Sequence, residues 1–166
     1  MSLNSLVDLF NLGMMRDYNE IIPDKQGIVL NIGAGEKLID GSIPLDYPEY
    51  DAESDRIPWA NETVDMIHCY HMMEHINDVP FFIQEVRRVL KPGGHMNIVV
   101  PYYNSNLQAQ DLDHKTAFNE RSFERLFETT YYFKGKVDAM EIATNFIMGD
   151  CEANLCLIVQ LRKYNV

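Results

Sequence analysis

Ile28-Val29-Leu30-Asn31-Ile32-Gly33-Ala34-Gly35 decides the fold: a compact apolar run ends in two glycines around an alanine. Such a run, bounded by a glycine turn, reads as a strand buried on both faces, as strands of parallel sheets are. Residues 42–46 read as a second short strand that ends on Asp46, and too few residues separate Gly35 from it to hold a full crossover helix. Residues 64–70 form a third, apolar strand. The helix that follows is well marked: Asp78 can cap it, Pro80 sits in its first turn, and Phe82, Ile83, Val86, Val89 and Leu90 recur along one face. Lys91-Pro92-Gly93-Gly94 reads as its stop.

Farther along, residues 95–101 read as a fourth strand and 102–116 as a polar loop. A helix near 120–131 carries Phe123, Leu126, Phe127 and Tyr131 on its apolar face. Two β-rich runs, 136–148 and 155–164, flank the turn-forming stretch 149–154 and predict a hairpin. At the start, Leu6, Leu9 and Phe10 predict a short helix over 4–12, stopped by Gly13 and lying across the body as a cap. The front half alternates strand and helix and the tail is antiparallel. The expected fold is therefore α/β in three layers, with a mostly parallel sheet and an antiparallel C-terminal hairpin strand, built as one domain over 1–166.

Composition narrows the function. With 46% apolar and 23% charged residues in a chain of 166, the sequence is that of an ordinary folded domain that needs no disulfide scaffold. Its net charge of −11 disfavours nonspecific binding to nucleic acid. Arg87, Arg88 and Lys91 could form a local basic patch, but on a helix they read better as a solvated face. The 3 cysteines are an odd number without a C-x-x-C pair, which fits a reducing compartment. No apolar run approaches the ~20 residues that cross a bilayer, and no basic then apolar leader opens the chain, so a cytoplasmic location is expected.

In open parallel sheets ligands sit at the carboxyl ends of the strands, beside the switch point. Here that means the Gly33–Gly35 turn, where a missing side chain lets backbone approach a ligand, and Asp46, whose carboxylate can accept two hydrogen bonds from a ribose diol. A plain tight turn fits the glycines equally well. The dinucleotide pattern G-x-G-x-x-G fails, because its third glycine would fall on Leu38 and Asp46 follows Gly33 by only 13 residues.

The sequence resembles the class I S-adenosylmethionine (SAM)-dependent methyltransferases, in particular a group with an E-H…R-V-L-K-P-G-G pattern. The residues that carry the likeness are Val29 to Gly35, Ile57-Pro58-Trp59 with Val64-Asp65, Glu74-His75-Ile76, Arg88 to Gly94, and the segment from Asp113-His114-Lys115 to Ser122-Phe123. It departs from the group's pattern with Asn31 in place of an aspartate and Val64 in place of a phenylalanine. The resemblance implies a minimal Rossmann-like sheet holding SAM, with S-adenosylhomocysteine (SAH) as product. It puts Gly33, Ala34 and Gly35 near the methionine end, with Asn31 orienting that turn. Asp46 and Tyr47 would lie at the ribose, the acidic stretch Asp51-Ala52-Glu53 at the adenine, and Tyr70 and His71 on the methionine side. SAM carries no phosphate, so a truncated first crossover costs little.

Methyl transfer from a sulfonium is in-line displacement, driven largely by holding nucleophile and methyl together; a base is optional. His71 and His114 are the candidate bases. His75 reads better as a loop-fixing residue, and Tyr102 and Tyr103 as either acceptor-pocket walls or a structural pair. His68 and His71, three apart on a strand, project to opposite faces, so no metal site is expected. The acceptor is expected to be a small molecule or a sugar or lipid intermediate. A SAM-binding module without catalysis and an NAD(P)-dependent oxidoreductase are the alternatives.

Overall fold

Residues 29–32 form β1 (Val29–Ile32), with all four side chains buried as the apolar run predicts. The computed structural model describes residues 27–36, 38–128, 137–149 and 154–164; the predicted helix over 4–12 and the tip of the predicted hairpin lie outside them. After β1 come β2 (Ile43–Leu45), β3 (Val64–Tyr70), a 3-10 turn (Met73–His75), α1 (Val79–Val89) and β4 (Leu90–Pro101). Then follow α2 (Asn106–Ala109), α3 (Glu120–Leu126), β5 (Met140–Gly149) and β6 (Asn154–Lys163).

The sheet order is β2-β1-β3-β4-β6-β5. β1 pairs in parallel with β2 and β3, and β3 with β4, while β6 runs antiparallel to both β4 and β5. The chain leaves β1 on one side for β2 and returns on the other for β3. The switch point thus lies at the carboxyl end of β1. No helix occurs among the described residues of either crossover there, 33–42 or 46–63, in keeping with the short spacing read from sequence.

α1 forms as predicted. Asp78 Oδ1 accepts the Phe81 N–H at 2.9 Å, and Phe82, Ile83, Val86 and Val89 are fully buried against the sheet. Each such side chain contributes roughly 1.5–3 kcal/mol over exposure, ample to hold an 11-residue helix whose propensity alone would not. Phe123 and Leu126 of α3 join the same core, and Leu107 of α2 packs on the opposite face of the sheet. On that opposite face a buried polar row crosses four strands in register, Asn31 beside His68, His68 beside Asn97, and Asn97 beside Gln160. Gln160 Nε2 donates to Asn97 Oδ1 at 2.7 Å, and His68 Nδ1 lies 2.8 Å from the Tyr70 hydroxyl.

The structure corrects the sequence reading in four places. Lys91-Pro92-Gly93-Gly94 does not separate α1 from the next strand: β4 already begins at Leu90, which pairs with Val64, and the four residues loop out before His95 pairs with Met66. Gly93 has φ +83°, and a Cβ on Gly94 would stand 2.9 Å from Lys91 O and 3.0 Å from Asp65 O, so the bulge needs both glycines. The predicted helix over 120–131 ends at Leu126, with Phe127 as C-cap. The loop 102–116 contains the single-turn helix α2, capped by Ser105 Oγ on the Gln108 N–H at 3.1 Å.

The basic triplet is the fourth. Arg88 turns inward, donating to Glu85 at 2.6 Å and to the Ile57 and Trp59 carbonyls at 2.8 Å each. Glu85 also accepts the Ile57 N–H at 3.1 Å, so the pair ties the 56–61 loop onto α1. Lys91 pairs with Asp65 at 2.7 Å, and Arg87 donates to Asp138 O at 2.6 Å.

Candidate functional site

A cavity of about 530 Å³ opens at the switch point, where the ends of β1, β2 and β3 meet. The glycine turn forms one wall. Gly33 has φ +71° and donates its N–H to Leu45 O at 2.8 Å, drawing the turn across to β2. A Cβ there would lie 2.4 Å from Met72 Cβ and Cγ, so no other residue fits. Gly35, with φ +52°, also lines the cavity, and a Cβ on it would meet nothing within 4 Å. The backbone there is open to a ligand.

Asp46 ends β2 facing Gly35. One carboxylate oxygen accepts the Gly35 N–H and the other the Tyr47 N–H at 2.9 Å. A carboxylate offers about four acceptor positions, so two remain for a ligand diol. Tyr47, Asp51 and Ala52 continue the wall, and His71 stands across from them at the end of β3. The structure thus brings Gly33, Gly35, Asp46, Tyr47, Asp51, Ala52 and His71 to one cavity.

Four predicted residues are not among its lining. Asn31 lies in the buried polar row on the other face of the sheet, where strand alternation points it. Tyr70 follows the same alternation, with its hydroxyl on His68 and its ring in the apolar cluster of that face. Ala34 is buried within the turn. His114 sits behind the cavity wall: its Nδ1 is 3.2 Å from Gln108 O, and its ring meets that of His75 edge-on at 4.8 Å. Tyr102 and Tyr103 pack edge-on at 5.0 Å, also outside the lining, with the Tyr102 hydroxyl donating to Glu120 at 3.1 Å.

His71 is the most constrained side chain of the cavity. Its φ of +53° is rare for a residue with a Cβ, and its N–H is held by Val99 O at 2.8 Å. Nδ1 lies 3.4 Å from Glu74 Oε1. Burial pushes the imidazole pKa down, but hydrogen bonds to Cys156 and Glu74, with the Glu74 charge, more than offset this and carry it up to about 9. At neutral pH the ring therefore carries its proton, with its N–H groups directed to Glu74 and Cys156.

Sequence reasoning missed Tyr50, His75 and Lys115, which line the cavity together with Glu53. Lys115 Nζ donates to Glu53 at 2.7 Å and Asn77 donates to the same carboxylate, holding its pKa below the ordinary range. Glu53 was foreshadowed by the acidic stretch from Asp51. Lys115 was not, because only tertiary folding carries it to residue 53. The lining carries carboxylates on Asp46, Asp51 and Glu53 against the ammonium of Lys115 and the two imidazoles.

Residues 31–98 match the family described as a methyltransferase domain. No curated protein matches the sequence. Among solved structures, the chain is similar to one from the complex between the Haloferax volcanii Trm112 methyltransferase activator and a methyltransferase, with 12% identity, TM-score 0.65, and coverage of 98% of this chain and 93% of that one. A methyltransferase from Bacillus halodurans shares 13% identity with TM-score 0.64, over 98% of this chain and all of that one. A SAM-dependent methyltransferase from Mesorhizobium loti shares 12% with TM-score 0.58, over 86% and 94%. These likenesses fix the fold.

Proposed function

The chain carries a methyltransferase domain of the class I, SAM-dependent family, and from that premise we propose that it methylates a small molecule or a sugar or lipid intermediate in the cavity at the switch point. The observation that carries the reading is Asp46, a carboxylate at the end of β2 with two acceptor positions left and a glycine wall opposite. Bound there, SAM would supply an electrophilic methyl on a sulfonium.

The chain's own residues then have separate tasks. Asp46 accepts from the ribose hydroxyls, with Tyr47, Asp51 and Ala52 along the adenosine. The turn of Gly33 and Gly35 receives the methionine end. Asn31, Ala34 and Tyr70 serve from behind by fixing the strand ends that carry it. His71 faces the acceptor side as a protonated ring and positions the acceptor, and the rate comes chiefly from holding nucleophile and methyl about 3–3.5 Å apart in line. The fit to an adenosyl sulfonium is also electrostatic. Three carboxylates line the cavity beside the single ammonium of Lys115, and among the described residues no helix follows the glycine turn to offer its N-terminus to a pyrophosphate.

The same charge, with the net −11 of the chain, argues for an acceptor that is not nucleic acid. A single domain and a reducing, cytoplasmic setting complete the reading; Cys69 and Cys156 are buried free thiols, and no helix among the described residues is long and apolar enough to cross a membrane. Calorimetric titration with SAM, SAH and NADH tests the cofactor. Micromolar binding of the first two without NADH is the expected result, and failure of both to bind refutes it. Release of SAH across an acceptor panel then tests turnover.

A further inference from the structure

Behind the cavity wall, Glu74, His75 and His114 bring one carboxylate oxygen and two ring nitrogens within 4.8 Å of one another. The sequence spacing gave no hint of this, since His114 is 39 residues from His75. Backbone hydrogen bonds create it: the N–H groups of Lys115 and Thr116 both donate to Glu74 O, at 2.7 and 3.0 Å, and Thr116 Oγ1 donates to Ile76 O at 2.8 Å. The segment bearing His114 is thereby clamped to the turn that bears Glu74 and His75.

Two further features mark the cluster as more than a contact. Glu74 is 1% exposed, and its Oε2 is buried with no hydrogen-bond donor. A carboxylate oxygen left so is costly unless a cation completes it. His114 has its Nδ1 on the Gln108 carbonyl at 3.2 Å, which can only accept. In the neutral ring Nε2 is then the lone-pair atom, the arrangement by which ligating histidines are oriented. That Nε2 lies 3.8 Å from Asp111 Oδ2, beyond hydrogen-bond distance.

We propose that Glu74, His75 and His114 bind a borderline first-row divalent cation, with zinc as the closest chemical match. Two imidazoles and a carboxylate are a recognised three-ligand set for zinc, which at 2.0–2.2 Å bond lengths places ligand atoms about 3.3 Å apart. The three ligand atoms, within 4.8 Å of one another, would draw together around the ion by side-chain rotation. Because His75 also lines the cavity, the fourth position opens onto it and would hold an oxygen or nitrogen of the acceptor; this last step rests on the methyltransferase reading.

The test uses the full chain, stripped with chelator and titrated with Zn²⁺ by calorimetry and with Co²⁺ by visible absorption, with SAH binding measured on the same samples. One equivalent of Zn²⁺ should bind, with Co²⁺ giving the strong visible bands of a four- or five-coordinate site. H75Q and H114Q should each weaken Zn²⁺ binding at least tenfold, and H95Q, outside the cluster, should not. Absence of stoichiometric binding, weak bands of a six-coordinate aqua ion, or binding unchanged in both variants overturns the site. The Co²⁺ spectrum of the unmodified chain decides the matter even if a variant misfolds. Loss of SAH binding would instead count against the cofactor reading and leave the metal result standing.

Discussion

Replacing Asp46 separates the cofactor reading from a structural one. In the folded chain its carboxylate accepts the N–H groups of Gly35 and Tyr47, and both lie at the rim where water can replace a lost acceptor. D46A should therefore lower folding stability by no more than about 1 kcal/mol. Binding is another matter. Two ribose hydroxyls donating to a carboxylate form charge-assisted hydrogen bonds, each worth about 1.5–3 kcal/mol but not additive on one group. D46A should then cost about 2–3 kcal/mol of SAH affinity, roughly 30- to 150-fold in Kd. D46N keeps one neutral carbonyl acceptor and should lose about tenfold, near 1.4 kcal/mol.

Calorimetry with SAH gives the affinities and urea denaturation the stability, on the same preparations. The order wild type, D46N, D46A in affinity, with stabilities close together, is the expected result. A Kd for D46A within twofold of wild type would place the ribose elsewhere and refute the assignment. A loss of stability larger than the loss of affinity would make Asp46 a clamp on the glycine turn instead.

Three other perturbations test the frame around the site. G33A forces a Cβ to within 2.4 Å of Met72 Cβ and Cγ at φ +71°, so steric and backbone strain should together cost about 2–4 kcal/mol in urea denaturation and abolish SAH binding. His68 is 2% exposed, and burial pushes its pKa down to about 4. The unfolded chain, with an ordinary histidine near 6.5, takes up the proton first, so stability present above pH 6.5 is lost as pH falls toward 4, by about 2 kcal/mol at pH 5. H68Q should flatten that part of the profile, and an unchanged slope between pH 7 and 5 would contradict the assignment. E85Q leaves the inward-turned Arg88 without its counter-charge and should destabilise by about 2–4 kcal/mol. Hydrogen bonds from Arg88, against the opposing effect of burial, hold the Glu85 pKa below the ordinary range, so the pair's contribution is lost only as pH falls through that lowered value.

The parts of the fold legible in the sequence are those set by local pattern. β1 and its glycine turn, β2 ending on Asp46, and α1 with its Asp78 cap follow from periodicity and turn chemistry acting over a few residues. The antiparallel tail was equally plain from two β-rich runs around a turn. The errors come from interactions between distant segments. Lys91 to Gly94 looks like a helix stop, yet Leu90 is already in the ladder because Val64 is there to pair with it. Arg88 looks like a solvated charge until Glu85 and the 57 and 59 carbonyls are folded onto it. The same holds at the site: Tyr70 was placed by its position at a strand end, and alternation sent its ring to the other face while His71 kept the cavity.

The short first crossover is what joins fold to cofactor. A crossover helix would aim a positive dipole end, worth about half an elementary charge, at the glycine turn and suit a phosphate. Here the described residues between β1 and β2 form turns, and Asp46 occupies the Gly35 N–H that a phosphate would require. A dinucleotide would bring its pyrophosphate to that carboxylate, with Asp51 and Glu53 on the same wall. Like charges about 4 Å apart cost between about 1 kcal/mol in water and 4 kcal/mol near a protein surface, comparable to the gain from a ribose contact. A sulfonium or ammonium meets the same carboxylates with the sign reversed. The loss of the helix therefore changes which cofactor the switch point can hold, and the NADH arm of the calorimetry tests charge as well as shape.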